Sequence, residues 1–339
     1  MLNFFQFDTD ENRRTLLIRA RKVAIISLLQ YDIEWESIQF IQLSDTITYK
    51  IKTGSNESFL LRIHSDILSK EEIRSELILL QALNESDYLT VPEGIVSIDG
   101  SYVLEIDTED GYRRPCVTMM RWIEGEHGNG KYTDNCVYNM GVLMGRLHEV
   151  ATSFAPPTGF VRPIWGAESF KREMTKLERH YACFLSGKGW RTYQAAAEKV
   201  LSTLAVIPWN NDNYGLIHAD LHTGNIVFKD DQPYPIDFGR CGYGYYLYDI
   251  AGTLLELTPK HRRMFIQGYE SVRKLEGNYV RDIECFFIMF MIENYCHHAS
   301  DPRETTGLID EQKYAQAYIR NYLNNTSFLF EMIQPVKID

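Results

Sequence analysis

The chain has 339 residues and a mass of 39.5 kDa. Single hydrophobic cores rarely grow to this size, so we expect two lobes. Hydrophobic residues make up 45% of the sequence and charged residues 24%, which excludes a disordered or low-complexity chain. The formal net charge of −11, from 35 basic and 46 acidic residues, disfavours nucleic acid and anionic membranes as partners.

The cysteine pattern and the apolar runs indicate where the protein resides. Six cysteines stand singly with no CxxC pair, which favours a reducing environment over a disulfide framework. The first 14 residues contain acids and no signal-peptide pattern. The longest apolar run, residues 285–292, is much shorter than the ~20 residues of a membrane-spanning helix. We therefore expect a cytoplasmic protein.

The first 120 residues predict an antiparallel sheet with helices. Apolar spacing predicts a helix over 12–30, and a second helix begins at Ser69, which forms a capping-box pattern with Glu72. Alternating apolar residues predict strands in the following segments: 47–51 and 59–63, joined by the turn Gly54-Ser55-Asn56; 94–98 and 102–106, joined as a hairpin by Asp99-Gly100; and 115–120.

Beyond residue 121 the pattern changes to long helices. They are predicted over 137–150, 167–185, 191–205, 260–275, 281–299 and 311–332. Residues 214–238 are the one strand-rich interruption. The sequence thus predicts an α+β protein with a sheet lobe over 1–120 and a helical lobe over 121–339.

The strand-rich interruption carries the strongest chemical signal. It runs as strand, polar loop, strand, turn and strand, and it holds Asp220 and Asn225 on the loop and Asp237 after the last strand. Two carboxylates and an amide supply the oxygen ligands that Mg²⁺ prefers, usually shared with substrate phosphates. Phosphoryl transfer to a hydroxyl needs such a metal and a carboxylate that accepts the hydroxyl proton.

Three motifs in this region resemble the aminoglycoside phosphotransferase and choline kinase family, which is related to the protein kinases. They are His218-x-Asp220-x₄-Asn225, Asp237-Phe238-Gly239 and Tyr248-Asp249-Ile250-Ala251. The resemblance implies a two-lobed protein-kinase-like fold, Asp220 as catalytic base, Asn225 and Asp237 as Mg²⁺ ligands, and Asp249 as a brace for the catalytic loop.

Histidines flank the catalytic position on both sides. His218 ends an apolar strand and is predicted to be a hydrogen-bonded structural anchor. His222 lies two residues past Asp220, where it would contact phosphate, substrate or only backbone. His148 is expected to be a core histidine.

The first lobe is expected to bind the nucleotide. Glu76 lies within an apolar helical stripe, and a buried carboxylate needs a cationic partner. The resemblance implies that this partner is Arg62, on the preceding strand, with Lys50 or Lys52 able to share the role.

Two other segments complete the expected nucleotide site. Residues 43–49 lack a glycine signature, but the hydroxyls of Ser44 and Thr46 are candidate phosphate contacts. The strand end at Met120 and Trp122 is where the resemblance implies contacts with adenine, although plain core packing is the alternative interpretation.

The sequence therefore predicts an ATP-dependent or GTP-dependent phosphotransferase that uses Mg²⁺ and acts on a hydroxyl of a small molecule. Acceptors within the family include aminoglycosides, amino alcohols and homoserine. A serine/threonine protein kinase is one alternative, but Asp249 follows Gly239 by only ten positions, too few for an ordinary activation segment. A catalytically silent nucleotide-binding protein is the other, and the presence of Asp220 disfavours it.

The acceptor is hypothesised to be cationic. Glu293 is the candidate contact, because it follows the apolar run 285–292 and is drawn toward the interior. Other acids and aromatic residues are expected to help form a negative pocket with π faces: Asp249, Glu256, Glu270, Asp282, Glu284, Tyr243, Tyr245, Tyr246, Phe286 and Tyr295.

Overall fold

The chain separates into two compact units in the computed structural model, which describes residues 2–108, 111–128 and 130–338. Unit 1 comprises Met1–Glu124 and Phe154–Arg162, and unit 2 comprises Gly125–Ser153 and Pro163–Asp339. Each unit has its own hydrophobic cluster. The α+β class predicted from the sequence is confirmed, whereas the return of residues 154–162 to unit 1 was not predicted.

Unit 1 is built on an antiparallel sheet. Its elements are α1 (Asp10–Leu28), β1 (Trp35–Leu43), β2 (Thr46–Thr53), β3 (Ser58–His64), α2 (Lys70–Asn84), β4 (Gly94–Ile95), β5 (Leu104–Glu105) and β6 (Cys116–Arg121). The strand order is β1-β2-β3-β6-β4, and β5 also pairs with β6.

Of the two hairpins predicted in unit 1, one is present and the other is not. The β2–β3 hairpin is confirmed, with Ile51 opposite Phe59. The hairpin around Asp99-Gly100 is wrong, because β4 and β5 each pair with β6 instead of with one another. A tight turn is nevertheless present there, with Gly100 at φ +82°, a conformation that costs glycine little.

Strand β3 and helix α2 place the polar residues of unit 1. Phe59, Leu61 and Ile63 of β3 are buried in the hydrophobic cluster, so the alternation of the strand turns Arg62 to the other face of the sheet. Helix α2 begins with the predicted capping box, in which Ser69 and Glu72 bind each other's backbone N–H groups.

Unit 2 consists mainly of helices. Its elements are α3 (Asp134–Ser153), α4 (Ala167–His180), α5 (Gly187–Leu204), β7 (Tyr214–Ile217), β8 (Ile226–Lys229), β9 (Gln232–Pro235), β10 (Gly242–Tyr245), α6 (Tyr246–Leu254), α7 (Pro259–Glu270), α8 (Tyr279–His298) and α9 (Thr305–Leu323). Strands β8 and β9 form one antiparallel pair, and β7 and β10 form another.

Packing in unit 2 depends on close helix contacts around a buried α8, in which residues 283–293 are all buried. Helices α3 and α7 approach closely at Gly141, where a Cβ atom would lie 2.0 Å from the Phe265 carbonyl oxygen. The glycine therefore permits close helix packing. Among the described residues, no helix is long and apolar enough to cross a membrane.

Candidate active site

The loop between β7 and β8 is anchored by His218. This side chain is fully buried, its Nε2 lies 3.0 Å from the Ile236 carbonyl oxygen, and its ring centroid is 4.4 Å from that of Phe238. A carbonyl only accepts, so Nε2 donates this hydrogen bond. His218 thus links the start of the loop to the segment that carries Asp237, in agreement with an anchoring role.

Asp249, in the first turn of α6, binds the backbone of the same loop. Its Oδ2 accepts from the His218 N–H at 2.9 Å, and its Oδ1 accepts from the Ala219 N–H at 2.8 Å. Ala219 adopts φ +63°, a left-handed conformation that is unfavourable for a residue with a Cβ atom. Asp249 therefore stabilises a strained backbone immediately before Asp220.

A buried histidine holds Asp249 in turn. His148 Nε2 lies 3.0 Å from Asp249 Oδ2, and its Nδ1 lies 3.0 Å from the Tyr269 hydroxyl. Burial opposes ionisation of Asp249, but the hydrogen bond from His148 leaves the pKa of Asp249 below its ordinary value. Burial lowers the pKa of His148. The pair is therefore a neutral histidine donating to a carboxylate, and the core role expected for His148 agrees with this geometry.

Asp220 and Asn225 are joined directly across the loop. The Asn225 Nδ2 donates to the Asp220 backbone oxygen at 2.9 Å, and it lies 3.4 Å from Asp220 Oδ2. Burial raises the pKa of Asp220, the negative charge of Asp237 acts in the same direction, and the positive charge of Arg240 opposes the rise. These interactions bring both predicted carboxylates and the amide into one part of unit 2.

Asn225 and Asp237 are the two residues of this site considered as metal ligands. In the part of the chain that the structure describes, no group of three or more His, Cys, Asp or Glu residues forms a metal site. Asn225 commits its amide nitrogen to Asp220, and its oxygen is the atom that could bind a metal. Asp237 follows β9 in a left-handed conformation, φ 59°. One amide and one carboxylate fit a magnesium ion that shares its ligands with phosphates and water.

His222 is held by the loop itself. Its Nδ1 accepts from the Gly224 N–H at 3.1 Å and lies 3.9 Å from Glu256 Oε1. The other Glu256 oxygen accepts from both the backbone N–H and the hydroxyl of Thr223. Of the contacts considered for His222, the structure contains the one with backbone. The loop-binding role of Glu256 was missed, because one acid on a distant helix end carries no local signal.

The expected ion pair of unit 1 is present. The Arg62 Nη1 lies 2.5 Å from Glu76 Oε1, and both side chains are almost fully buried, at 5% and 1% exposure. The second Glu76 oxygen is also buried and has no hydrogen-bond partner among the described residues. Thr48 stands opposite Arg62 on β2. The pair forms a charged position on the polar face of the sheet.

The expected phosphate loop is mostly strand. Only Ser44 and Asp45 form the turn between β1 and β2, and Ser44 is exposed there. Thr46 belongs to β2, is buried, and lies with its hydroxyl 3.4 Å from that of Thr48. The expected phosphate loop over residues 43–49 is therefore limited to this turn, since Leu43 ends β1 and residues 46–49 belong to β2.

The backbone of the segment expected to contact adenine is hydrogen-bonded within unit 1. Met120 is buried in β6, and the N–H groups of Arg121 and Trp122 donate to the Glu93 and Ser58 carbonyl oxygens. The half-buried Trp122 ring receives the Lys50 ammonium at 4.0 Å. Lys50 thus contacts this segment, whereas Lys52 is exposed.

The acids expected to line one negative pocket are instead spread over separate interactions. Asp249 and Glu256 bind the catalytic loop, as described above. Glu284 Oε1 accepts from the N–H groups of Phe328 and Leu329 at 2.6 and 3.0 Å. Glu293 is the exception in this set, because it is buried and one of its oxygens accepts only from Tyr248, at 2.6 Å.

Several known proteins are similar to this chain in sequence or in fold. An amicoumacin kinase of Bacillus subtilis (strain 168) is 23% identical over 318 residues, which cover 87% of this chain and 89% of that protein. The solved structure of a microcompartment-associated aminopropanol kinase has a TM-score of 0.79 at 24% identity, covering 91% of this chain and 99% of that one. An amicoumacin kinase in complex with AMP-PNP, Ca²⁺ and Ami has a TM-score of 0.76 at 18% identity, covering 95% and 98%.

The family assignment rests on a match that spans most of the chain. Residues 39–280 match the phosphotransferase enzyme family. This range includes β2, β3 and α2 of unit 1 as well as the loop, Asp237 and Asp249 of unit 2. The resemblance stated from the motifs is confirmed. The chain therefore belongs to the phosphotransferase enzyme family, and its activity is that of a kinase.

Proposed function

We propose that this protein transfers the γ-phosphoryl group of ATP to a hydroxyl of a small molecule, with Mg²⁺ as the metal. The observation that supports this most directly is the braced loop, in which Asp249 holds the backbone before Asp220 while Asn225 is fixed to Asp220. Such preorganisation is what positional catalysis of phosphoryl transfer requires.

Asp220 is the catalytic base of the proposed reaction. The acceptor hydroxyl gives its proton to the Asp220 carboxylate as its oxygen forms a bond to the γ-phosphorus. The bond from that phosphorus to the bridging oxygen breaks, and ADP leaves. Mg²⁺, when bound, neutralises charge on the phosphates, and Asn225 and Asp237 are the residues that would hold it.

Unit 1 supplies the proposed nucleotide contacts. Arg62 carries a fixed positive charge, and its bond to Glu76 restricts the guanidinium to one orientation. The half-buried Trp122 with Lys50 above it, the neighbouring Met120, and the Thr46 hydroxyl remain candidate contacts of the same nucleotide, as does Ser44. Relatives in the family have been solved with AMP-PNP and with GDP, so GTP is a second donor to assay.

The acceptor is proposed to be an amine-bearing alcohol. Glu293 supports this assignment, because a buried carboxylate with an unused oxygen favours a cationic group. The solved relatives named for aminopropanol and amicoumacin fit the same broad class. Amino alcohols, homoserine-like acceptors and aminoglycosides therefore form the panel to be tested.

A protein kinase is less well supported by the same region. The residues that would have to form an activation segment after Gly239 are instead folded as β10, paired with β7, and as the start of α6. A silent binding protein would have no need of a braced base. We retain the small-molecule kinase as the proposed function.

The first prediction tests Asp220 in an assay that couples ADP release to the acceptor panel, with ³¹P detection of the product. Asp220→Asn should lower kcat by about 100-fold or more, since proton acceptance is lost, while affinity for Mg-ATP changes little. Asp212→Asn, which alters an exposed carboxylate of the same unit, is the matched control. Near wild-type turnover in Asp220→Asn would remove this residue from the mechanism.

The second prediction tests the metal ligand. Asp237→Ala should weaken Mg-ATP binding and turnover together, because one of two protein ligands for the metal is lost. Calorimetric titration with Mg-ATP and with metal-free ATP separates the two contributions. Equal Mg-ATP affinity in the variant and the wild type would contradict the assignment.

A further inference from the structure

Glu293 has an unusual environment for a carboxylate. It lies on the buried helix α8 and is 4% exposed. Its Oε2 accepts from the Tyr248 hydroxyl at 2.6 Å, whereas its Oε1 is buried and has no hydrogen-bond partner among the described residues. Burial raises the pKa of Glu293 to about 7. A buried acceptor without a donor is unfavourable, so a donor from a ligand would relieve it.

Interactions within unit 2 connect Glu293 to the catalytic loop. Burial raises the pKa of Tyr248, and the negative charges of Glu293 and Asp220 raise it further. Arg240 acts electrostatically on Asp220, Tyr248 and Glu293 alike. Glu293 and the proposed base are therefore within electrostatic range of one tyrosine and one arginine.

The aromatic rings near Glu293 are engaged with protein groups. Tyr248 lies parallel to Trp165 with centroids 6.4 Å apart, and it also contacts Phe290 at 5.2 Å. Trp165 in turn receives the Arg240 guanidinium 4.5 Å from its ring centroid. An aromatic cage for a quaternary ammonium needs ring faces directed at the ligand. This arrangement instead presents a hydrogen-bond acceptor, the Glu293 Oε1.

We propose that Glu293 determines acceptor specificity by accepting a hydrogen bond, through Oε1, from an ammonium group that carries N–H. The enzyme would thus select primary and secondary amino alcohols over quaternary ones such as choline. This inference rests on the proposed function. A quaternary nitrogen has the same charge but no N–H, so it would leave Oε1 without a donor, and sites built to hydrogen-bond a group discriminate strongly against analogues that lack it.

The test is a series that changes only the number of N–H bonds. Ethanolamine, its N-methyl and N,N-dimethyl derivatives and choline are compared as acceptors, with the corresponding aminopropanol series and with kanamycin against its N-permethylated form. We expect kcat/KM to fall by about tenfold or more at the trimethyl member. In Glu293→Met, which has no acceptor oxygen, KM for primary amines should rise, KM for ATP should stay unchanged, and the preference over choline should largely disappear, whereas Glu293→Gln keeps an acceptor oxygen and should retain part of the preference.

Glu284→Gln is the matched control. It changes another buried carboxylate of α8 whose oxygen is bound to Ser327, Phe328 and Leu329. It is expected to lower stability and to leave the acceptor preference intact. Equal kcat/KM for primary and quaternary acceptors, or a preference unchanged in Glu293→Met, would overturn the inference.

Calorimetric binding of the same amines without nucleotide separates this inference from the proposed function. If no acceptor is phosphorylated, the proposed function fails, but tighter binding of primary amines that is lost in Glu293→Met would still support the ammonium site. If none of the amines binds the wild-type protein, the inference fails whatever the outcome of the phosphorylation assay.

Discussion

The protonation state of each buried carboxylate in unit 2 depends on how many hydrogen-bond donors its oxygens have. Asp249 is buried but stays ionised, because the His148 N–H and two backbone N–H groups donate to it. Glu293 is equally buried and has one donor, so its pKa is raised. The same residue type is therefore a structural brace in one position and a candidate ligand contact in the other.

The raised pKa of Glu293 makes the folding stability pH-dependent. Burial raises this pKa from 4.5 to about 7, with Tyr248 on α6 and Arg240 opposing the rise and Glu173 on α4 adding to it. The folded protein keeps a proton that the unfolded chain releases above pH 4.5. The stabilising contribution is therefore complete below that pH, and it is lost as pH rises toward 7, at about 1.4 kcal/mol per pKa unit.

We expect urea unfolding to show this as a difference between the wild type and Glu293→Gln. Between about pH 5 and pH 7 the wild type should lose stability relative to the variant, because glutamine cannot release a proton. Glu284→Gln controls for the loss of another carboxylate on the same helix. A stability difference that stays constant over this pH range would show that Glu293 is not protonated preferentially in the folded state.

The residues that sequence alone identified are those carried by local motifs. Asp220, Asn225, Asp237 and Asp249 fall within 30 positions of one another, so their order in the chain indicated their chemistry. Tyr248 was not identified as the partner of Glu293, because the two residues lie on different helices, 45 positions apart. Contacts of this kind depend on tertiary packing, for which the sequence shows no period or spacing.

Elements were predictable where their own residues bury one face. Helix α2 was recognised from its apolar stripe and capping box, and the β2–β3 hairpin from alternation around a turn. Strand β1 was missed because none of its side chains is fully buried, so the alternation is weak. The β4–β5 hairpin was wrong because the Asp99-Gly100 signal describes a turn, whereas the pairing partner of both strands is β6.

The ion pair between Arg62 on β3 and Glu76 on α2 is predicted to be needed for nucleotide binding. Glu76→Ala leaves a buried guanidinium without its anion, so turnover and ATP affinity should both fall. In a double-mutant cycle with Arg62→Ala, we expect a coupling energy of about 0.5–3 kcal/mol for transition-state stabilisation. Steady-state kinetics with ATP as the varied substrate provide the measurement.

Two further variants make this cycle interpretable. Arg62→Lys keeps the charge but loses the planar guanidinium, so it should recover part of the activity that Arg62→Ala loses. Glu71→Ala removes an exposed acid from the first turn of the same helix and should change ATP affinity little. Strictly additive effects of Arg62→Ala and Glu76→Ala would mean that the pair does not act as a unit, and Lys50 would then become the leading phosphate contact.

The molecule as a whole divides into two units whose chain path is not simply sequential. Residues 154–162 return to unit 1, where the Arg162 Nη1 donates to the Glu72 carbonyl oxygen at 2.9 Å and the Val161 N–H donates to the Ser75 hydroxyl at 2.9 Å. Helix α2 is thus held by a segment more than 70 positions away in sequence. A change from strand-rich to helix-rich sequence indicates the boundary between two lobes. It cannot show that a later segment belongs to the first lobe.

The net charge is a property of the whole molecule, and it leads to a prediction about association with the acceptor. The formal charge of −11 should accelerate encounter with a cationic acceptor, even though the acids expected to form one pocket are bound to other groups. Raising the salt concentration from about 0.01 M to about 0.1 M shortens the Debye length from about 30 Å to about 10 Å. At saturating Mg-ATP, kcat/KM for a primary amino alcohol should therefore fall over this range while kcat stays nearly constant. An uncharged polyol acceptor provides the comparison, and equal salt dependence of kcat/KM for the charged and uncharged acceptors would show that long-range attraction does not contribute to acceptor binding.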